Sequence, residues 1–321
     1  MVPLQVNNTF AETHYKNIKF NLLNQIERVL DEDGIQKKPR NGVNYIIEFS
    51  DQLEKDLESL ISDPENKLKP LITLRADLLE RWLTILITKR PNYFNKWHDD
   101  NLILRNIFID NAYDNKSFDK WEFINNININ TCPYCNRNYI FAIKKNKDAK
   151  PEIDHFFPKS KYPILGLTYF NLIPSCKSCN GFGAKEEKDP IIEGLTNPYL
   201  LKTSDFVFTH KIKNIAIINP LVGKSDVEVH FKYAIQGHLD VFNLKDLYEL
   251  HHDHALELII KKRIKYSKKY RVYLSSYKGL QFNKSEIDRM ILGNYSLEKQ
   301  QHTRPLSKLY QDLGKELGLI N

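Results

Sequence analysis

The sequence has no run of 18 apolar residues, so no membrane-spanning helix is expected. Its amino terminus lacks the basic, apolar and small-residue succession of a secretory signal, and the chain reads as cytoplasmic. Neither an internal repeat nor a low-complexity tract is present along its 321 residues. A hydrophobic share of 41% beside 27% charged residues excludes global disorder, collagen and coiled-coil rods. That length implies two domains, or one large domain carrying a smaller inserted module. Cysteine is scarce, at four residues in the whole chain.

Those four are Cys132, Cys135, Cys176 and Cys179, two Cys-x-x-Cys pairs with none left over. A chain expected in a reducing compartment keeps few disulfides, so the spacing reads as a metal site. A tight turn lets two thiols two residues apart face one ion, and two such turns supply the four thiolates of a structural zinc. A redox pair would not need the second pair. Forty residues separate Cys135 from Cys176, well beyond the roughly 15 to 20 of a plain zinc ribbon. A folded segment must lie between the knuckles, and one zinc per chain is expected.

Charge is segregated along the chain, which carries a formal +7. Residues 1–127 hold 17 Lys and Arg against 20 Asp and Glu, residues 128–185 hold 9 against 3, and residues 186–321 hold 21 against 17. The cysteine segment is thus the most basic per residue, which points to an anionic partner, most often nucleic acid.

The first 127 residues read as helical. Ile18, Leu22, Ile26, Val29 and Leu30 repeat at helical spacing up to Asp33-Gly34, and Leu53, Leu57, Leu60 and Ile61 do so up to Asp63-Pro64. Leu71, Leu78, Leu79, Leu83 and Leu86 mark a third helix, with shorter ones around 100–109 and 117–124. The acidic balance assigns this region to scaffolding or protein contacts. Residues 138–143 and 152–156 are expected to pair as a hairpin, with a helix after the second knuckle. Further on, 206–210, 215–218 and 227–233 are strand-like, Gln236-Gly237 suggests a turn, and a long helical stretch covers about 244–278. Within it Lys261–Arg271 has seven basic residues in eleven, with Tyr266, Tyr270 and Tyr273 at helical spacing. That stripe suits either a buried face with solvated lysines or a grip on phosphates and bases. His251, His252 and His254 around Asp253 lack the i, i+4 pairing of a helical zinc site and read as a solvated or partner-facing cluster. The fold class is α+β and mainly helical: a helical domain over 1–127, a zinc-stapled module over 128–190, and strands with long helices packing on or flanking it over 191–321.

The order Cys-x-x-Cys, Asp154-His155, Asn171, Cys-x-x-Cys-Asn180 resembles the HNH endonuclease family. That family has a ββα-metal fold, a hairpin followed by a helix with the catalytic metal between them. The resemblance spans Cys132 to Lys185. It implies that Asp154 and Asn180 bind the catalytic Mg²⁺ or Mn²⁺, that His155 is the general base, and that Asn171 braces the loop and orients the histidine. The chemistry asks for such groups, because phosphodiester hydrolysis needs an activated water and a cation to neutralise charge on the phosphate and leaving oxygen. Hard oxygen ligands suit Mg²⁺, and an imidazole with a reference pKa near 6.5 is largely neutral at cellular pH. Adjacent strand residues point to opposite faces, so Asp154 and His155 cannot both address one metal from regular geometry. Glu152 shares the face of Asp154 and is an auxiliary ligand candidate. Arg137, Lys159 and Lys185 are candidate phosphate contacts, although Lys185 lies five residues after Asn180, where the family's lysine often follows at three.

The string Glu152-Ile-Asp-His-Phe-Phe-Pro-Lys-Ser-Lys-Tyr-Pro163 is similar to the signature of the HNH effectors of Septu and certain retron anti-phage systems, as is Gly237 followed by Asn243-Leu-Lys-Asp-Leu247. Those relatives usually carry Glu where Asp154 stands, and the acidic amino-terminal region has no match among them. The resemblance implies a toxic nuclease acting on DNA beside a separate ATPase subunit. Two other readings stay open: a catalytically inactive, zinc-stabilised nucleic-acid-binding module, and an interaction protein whose finger only staples helical flanks.

Overall fold

The apolar positions Ile18, Leu22, Ile26 and Val29 fall on one buried face of α1 (Asn8–Asp31). In the computed structural model the described residues are 1–38, 42, 44–115, 118–144, 151–213, 226–262, 268–276 and 282–320. The Asn7 side chain caps α1 by accepting from Phe10 N at 3.1 Å. The helix ends where Asp33 (φ 52°) and Gly34 (φ 138°) reverse the chain. A Cβ on Gly34 would lie 2.2 Å from the Ile47 carbonyl oxygen, so only glycine fits the turn. It feeds an antiparallel pair, β1 (Ile35–Lys37) and β2 (Tyr45–Ile47), inside the region read as wholly helical. Strands of three residues are too short to show alternation.

The second helix, α2 (Asp51–Ser62), stops before Asp63-Pro64 as expected. The expected third helix is two, α3 (Leu68–Ile72) and α4 (Ala76–Lys89). Thr73 turns its hydroxyl back onto the Lys69 carbonyl at 2.8 Å, and the chain leaves the helix there. After α5 (Asp99–Arg105) a wide π-type turn continues over Asn106–Tyr113. Next comes α6 (Lys120–Ile127), capped by Asp119, which accepts from Trp121 N and Glu122 N at 3.0 Å.

The central strand pairing differs from the expected one. β3 (Glu152–His155) runs antiparallel to β4 (Leu172–Ser175), with Asp154 opposite Ile173 and His155 opposite Leu172. Residues 138–143 do not form its partner. They fold back on the first knuckle instead, with Cys132 N bonded to Asn138 O at 3.0 Å and Ile140 N to Asn130 O at 2.9 Å. Pro174 disguised β4, since proline cannot donate to a ladder; in a two-stranded pair each strand has an edge side, where a proline nitrogen leaves no ladder bond unmade. The helix expected after the second knuckle is a single turn inside it, α7 (Lys177–Asn180), with Cys176 at its cap and Cys179 within it.

Beyond it, β5 (Val207–Ile212) pairs antiparallel with β6 (Val227–Tyr233). The expected strand at 215–218 lies outside the described residues. Gln236-Gly237 opens a short helix, α8 (Gln236–Val241), where a turn was expected. The expected long helix is divided into α9 (Leu244–Glu249), α10 (His252–Ile260) and α11 (Lys268–Ser275). Of its basic stretch, residues 263–267 lie outside the described residues, and Tyr270 and Tyr273 are exposed. Finally α12 (Lys284–Leu292) and α13 (Ser307–Glu316) close the chain, α13 packing on β5 and α10. The class is α+β and mainly helical, with three two-stranded sheets among the described residues. One apolar core runs through it from Met1 to Ile320. Among the described residues no helix is long and apolar enough to cross a membrane.

His14 on α1 ties this helical layer to the loop between β3 and β4, its Nε2 lying 2.8 Å from the Leu167 carbonyl oxygen. Burial pushes its pKa down to about 4. The unfolded chain therefore takes up this proton first, and stability is lost as pH falls from about 6.5 to about 4, by up to ~3 kcal/mol. A His14→Gln variant should show a flatter stability-pH curve in that window, by about 1.4 kcal/mol per pH unit, in urea unfolding. Identical slopes for the two proteins would refute the assignment.

Candidate active site and metal centre

The two knuckles bring Cys132, Cys135, Cys176 and Cys179 together, with all four sulfurs within 4.8 Å of one another and all four residues buried. Cys135 Sγ and Cys176 Sγ lie 3.9 Å apart, close to the roughly 3.8 Å edge of a tetrahedron with Zn–S bonds of ~2.3 Å. The backbone N–H of Arg137 donates to Cys135 Sγ at 3.4 Å, and the Asn138 amide donates to Cys176 Sγ at 3.3 Å. Hydrogen bonds from the neighbouring cysteines hold Cys176 low, while burial pushes the Cys132 thiol up. Only a bound cation would let all four sulfurs ionise together. The donor set, its burial and its spacing fit a metal ion such as zinc.

The chain's carboxyl-terminal part closes over this centre. Asn136, in the left-handed region at φ 50°, accepts from Lys308 N at 3.1 Å and donates to Gln301 O at 2.9 Å. Tyr248 donates to the Cys135 carbonyl at 2.6 Å. None of these three contacts is visible in the spacing of the cysteines.

Alternation on β3 sends Glu152 and Asp154 to one face and His155 to the other. On the first face Asp154 is buried, and its Oδ2 accepts from Tyr134 at 2.5 Å. Burial raises its pKa, opposed by the nearby Lys185 ammonium and by Tyr134. Glu152 accepts from the Asn180 side-chain amide at 2.9 Å, so the last residue of α7 is drawn to the same face. Three oxygen-bearing side chains thus share this side of the strand, which fits a hard divalent cation in chemistry.

On the opposite face His155 Nε2 lies 3.0 Å from the Gly166 carbonyl oxygen. A carbonyl only accepts, so Nε2 carries the proton and Nδ1 keeps its lone pair. Tyr113, at the end of the π-type turn, sets its ring against the imidazole with centroids 4.5 Å apart. Burial pushes the His155 pKa down to about 3, helped by the charges of Lys159 and Lys120. Gly166 is confined as well, since an added Cβ would meet Ile109 Cδ1 at 2.1 Å and the Pro163 carbonyl oxygen at 2.9 Å.

Asn171 links the strands to the intervening loop. Its Oδ1 accepts from Phe157 N at 2.7 Å, and its amide donates to Phe157 O at 3.2 Å and Leu165 O at 3.0 Å. The loop end that presents Gly166 to His155 is therefore anchored from both sides.

The candidate phosphate contacts are placed differently from one another. Lys159 is on the surface beside Tyr113 and ion-pairs with Asp114 at 3.3 Å. Arg137 is half-buried, its Nε 2.9 Å from His251 Nε2. Lys185 is fully buried and donates to the Lys188 carbonyl at 2.8 Å; it faces the Asp154 carboxylate rather than solvent. The histidines read as a solvated or partner-facing cluster are half-buried: ligand atoms of His251, Asp253 and His254 lie within 4.8 Å of one another, and His254 Nδ1 lies 2.7 Å from Tyr310 Oη. Sequence reasoning missed Tyr134, Tyr113, Lys120 and Asp114. Tyr134 had a signal in its place inside the first Cys-x-x-Cys; the others come from a region separated from the motif and carry none.

The chain is similar to the Septu protein PtuB of Bacillus thuringiensis, with 32% identity over 148 residues, 44% of this chain. The similarity covers 52% of that relative, so the chain spans about half the length of the protein it matches. No family model matches the chain. No solved structure matches it either.

The four-sulfur centre generates a prediction. Elemental analysis of the purified protein should find one zinc per chain, and Cys176→Ser should lose the ion together with several kcal/mol of stability. A metal-free preparation that melts like the zinc-loaded one would disprove the assignment.

Proposed function

We propose that the chain is a metal-dependent endonuclease of the HNH type that hydrolyses phosphodiester bonds of DNA. In this reading it is the effector of an anti-phage defence system and acts beside a separate ATPase subunit; the likeness to Septu protein PtuB supports that context. The supporting observation at the site is the fixed tautomer of His155. With Nε2 held by the Gly166 carbonyl, Nδ1 is the atom free to take a proton from water. Burial keeps the imidazole neutral, and an arriving phosphate would offset the charges of Lys159 and Lys120 that now depress its basicity.

The order of elements supports the same reading: a hairpin, β3 and β4, followed at once by α7, with Asp154 and Asn180 toward one face. Asp154 and Asn180, with Glu152 as an auxiliary, are the residues proposed to hold Mg²⁺ or Mn²⁺. When bound, such an ion supplies charge neutralisation on the phosphate and the leaving oxygen. Asn171 positions the loop behind His155. The cysteine centre staples both ends of the segment and takes no part in the reaction. Within this reading, residues 128–190 form the nuclease module, residues 1–127 serve as scaffold and partner surface, and residues 191–321 buttress the module.

One observation favours a second reading. Asp154 is buried with Tyr134 and Lys185 as partners, the setting of a structural carboxylate, which suits a zinc-stabilised nucleic-acid-binding module without catalysis. Plasmid cleavage with Mg²⁺ or Mn²⁺ separates the two. Wild-type protein should nick, and His155→Ala should lower the rate by about 10²-fold or more. Asp154→Ala should abolish cleavage and leave the zinc in place. Equal nicking by wild type and His155→Ala would remove the base assignment; binding without cleavage, partner present, would establish the second reading.

A further inference from the structure

The basic groups that face His155 come from two distant parts of the chain. Lys120 opens α6, and Lys159 follows β3. Their ammonium groups converge on one carboxylate, Asp114, each at 3.3 Å. Both also lie over the ring of Tyr113, at 3.9 Å and 5.1 Å from its centroid, and that ring packs on His155. Asp114 is 45% exposed, and ion pairs at such exposure are weak and readily exchanged. A cleft of about 410 Å³ continues from Asp114 past Trp121 to Lys144, whose ammonium lies 5.7 Å from the centre of the Trp121 ring.

Two ammonium groups gathered around one exchangeable carboxylate, beside an imidazole whose Nδ1 is free, suit an oxyanion of the same charge. We infer that Lys120 and Lys159 form a seat for a phosphodiester group of a nucleic-acid strand, which Asp114 occupies until the strand displaces it. The strand then continues along the cleft toward Lys144, whose ammonium is held by Asp119 at 2.7 Å in a second exposed, exchangeable ion pair. The seat explains why an acidic region contributes to a nucleic-acid site: its net charge is negative, yet Tyr113 and Lys120 stand at the reacting face. The inference takes its ligand class from the nuclease reading but does not depend on cleavage.

The test uses the full chain carrying His155→Ala, with fluorescence anisotropy of labelled single-stranded DNA, duplex DNA and single-stranded RNA over a salt series. Lys120→Gln with Lys159→Gln should weaken binding roughly tenfold or more and make the log-log salt dependence shallower by about one to two charges. Asp114→Asn should tighten binding about two- to fivefold, because it removes the competitor and leaves both lysines. Lysine-to-arginine replacements should restore the salt slope, and unchanged urea midpoints show that the fold is intact. The oligonucleotide whose slope responds to the lysines identifies the strand class. An unchanged slope in the double glutamine variant overturns the seat, and so does weaker binding by Asp114→Asn. If wild-type protein cleaves while the double variant binds normally, the seat falls and the nuclease reading stands. Lysine-dependent binding by a wild type that never cleaves has the reverse meaning.

Discussion

Four sulfurs from two turns separated by forty residues converge on one buried point, and the catalytic candidates lie on the chain that this convergence closes or, for Asn180, directly after it. The first knuckle carries Tyr134 to Asp154; the second leads directly into α7 and Asn180. β3 and β4 have only four residues each, too few to hold a register alone. Their ends are pinned instead by the sulfur centre on one side and by Asn171 on the other. The single turn of α7 would not persist in isolation, and its place is set by the cysteines at its start and third position.

Around that staple the molecule separates two environments on the two faces of one strand. Asp154 sits among Tyr134 and Lys185, on the side of the four-cysteine centre and of Asn180. His155 sits among Tyr113, Gly166 and the lysines that open to solvent. The adjacency of an acid and an imidazole in the sequence, which posed a geometric difficulty, becomes a division of labour. In the proposed reading, one face holds a cation while the other meets water and the phosphate.

The flanking regions support this arrangement through specific contacts. α1 reaches the loop behind His155 through His14, and the π-type turn delivers Tyr113. From the other end of the chain, residues 301–308 grip Asn136 just after the first knuckle, and Asp312, paired with the buried Lys308 at 2.5 Å, accepts from Phe208 N at 3.0 Å and ties α13 to β5. A break in either flank would loosen the site without touching a candidate ligand.

Local rules were enough for much of this. Two-residue cysteine spacing, helical periodicity in α1 and α2, the stops at Gly34 and Pro64, and the strands β5 and β6 are all consequences of neighbours within a few positions. Other features depend on segments that meet only in three dimensions. The partner of β3 was hidden by Pro174 and by an apolar alternation at 138–143 whose Tyr139, Phe141 and Ile143 face outward. Lys185 reads as a surface cation and is buried, because burial depends on what covers a residue and not on its own type. Tyr113, Asp114 and Lys120 lie in a stretch whose composition suggested scaffolding, and the fold carries them to His155. The sequence by itself determined the four clustered cysteines and the chemical kinds of group between them; the tertiary structure decided which face each one takes, since orientation follows from strand pairing and packing over long separations.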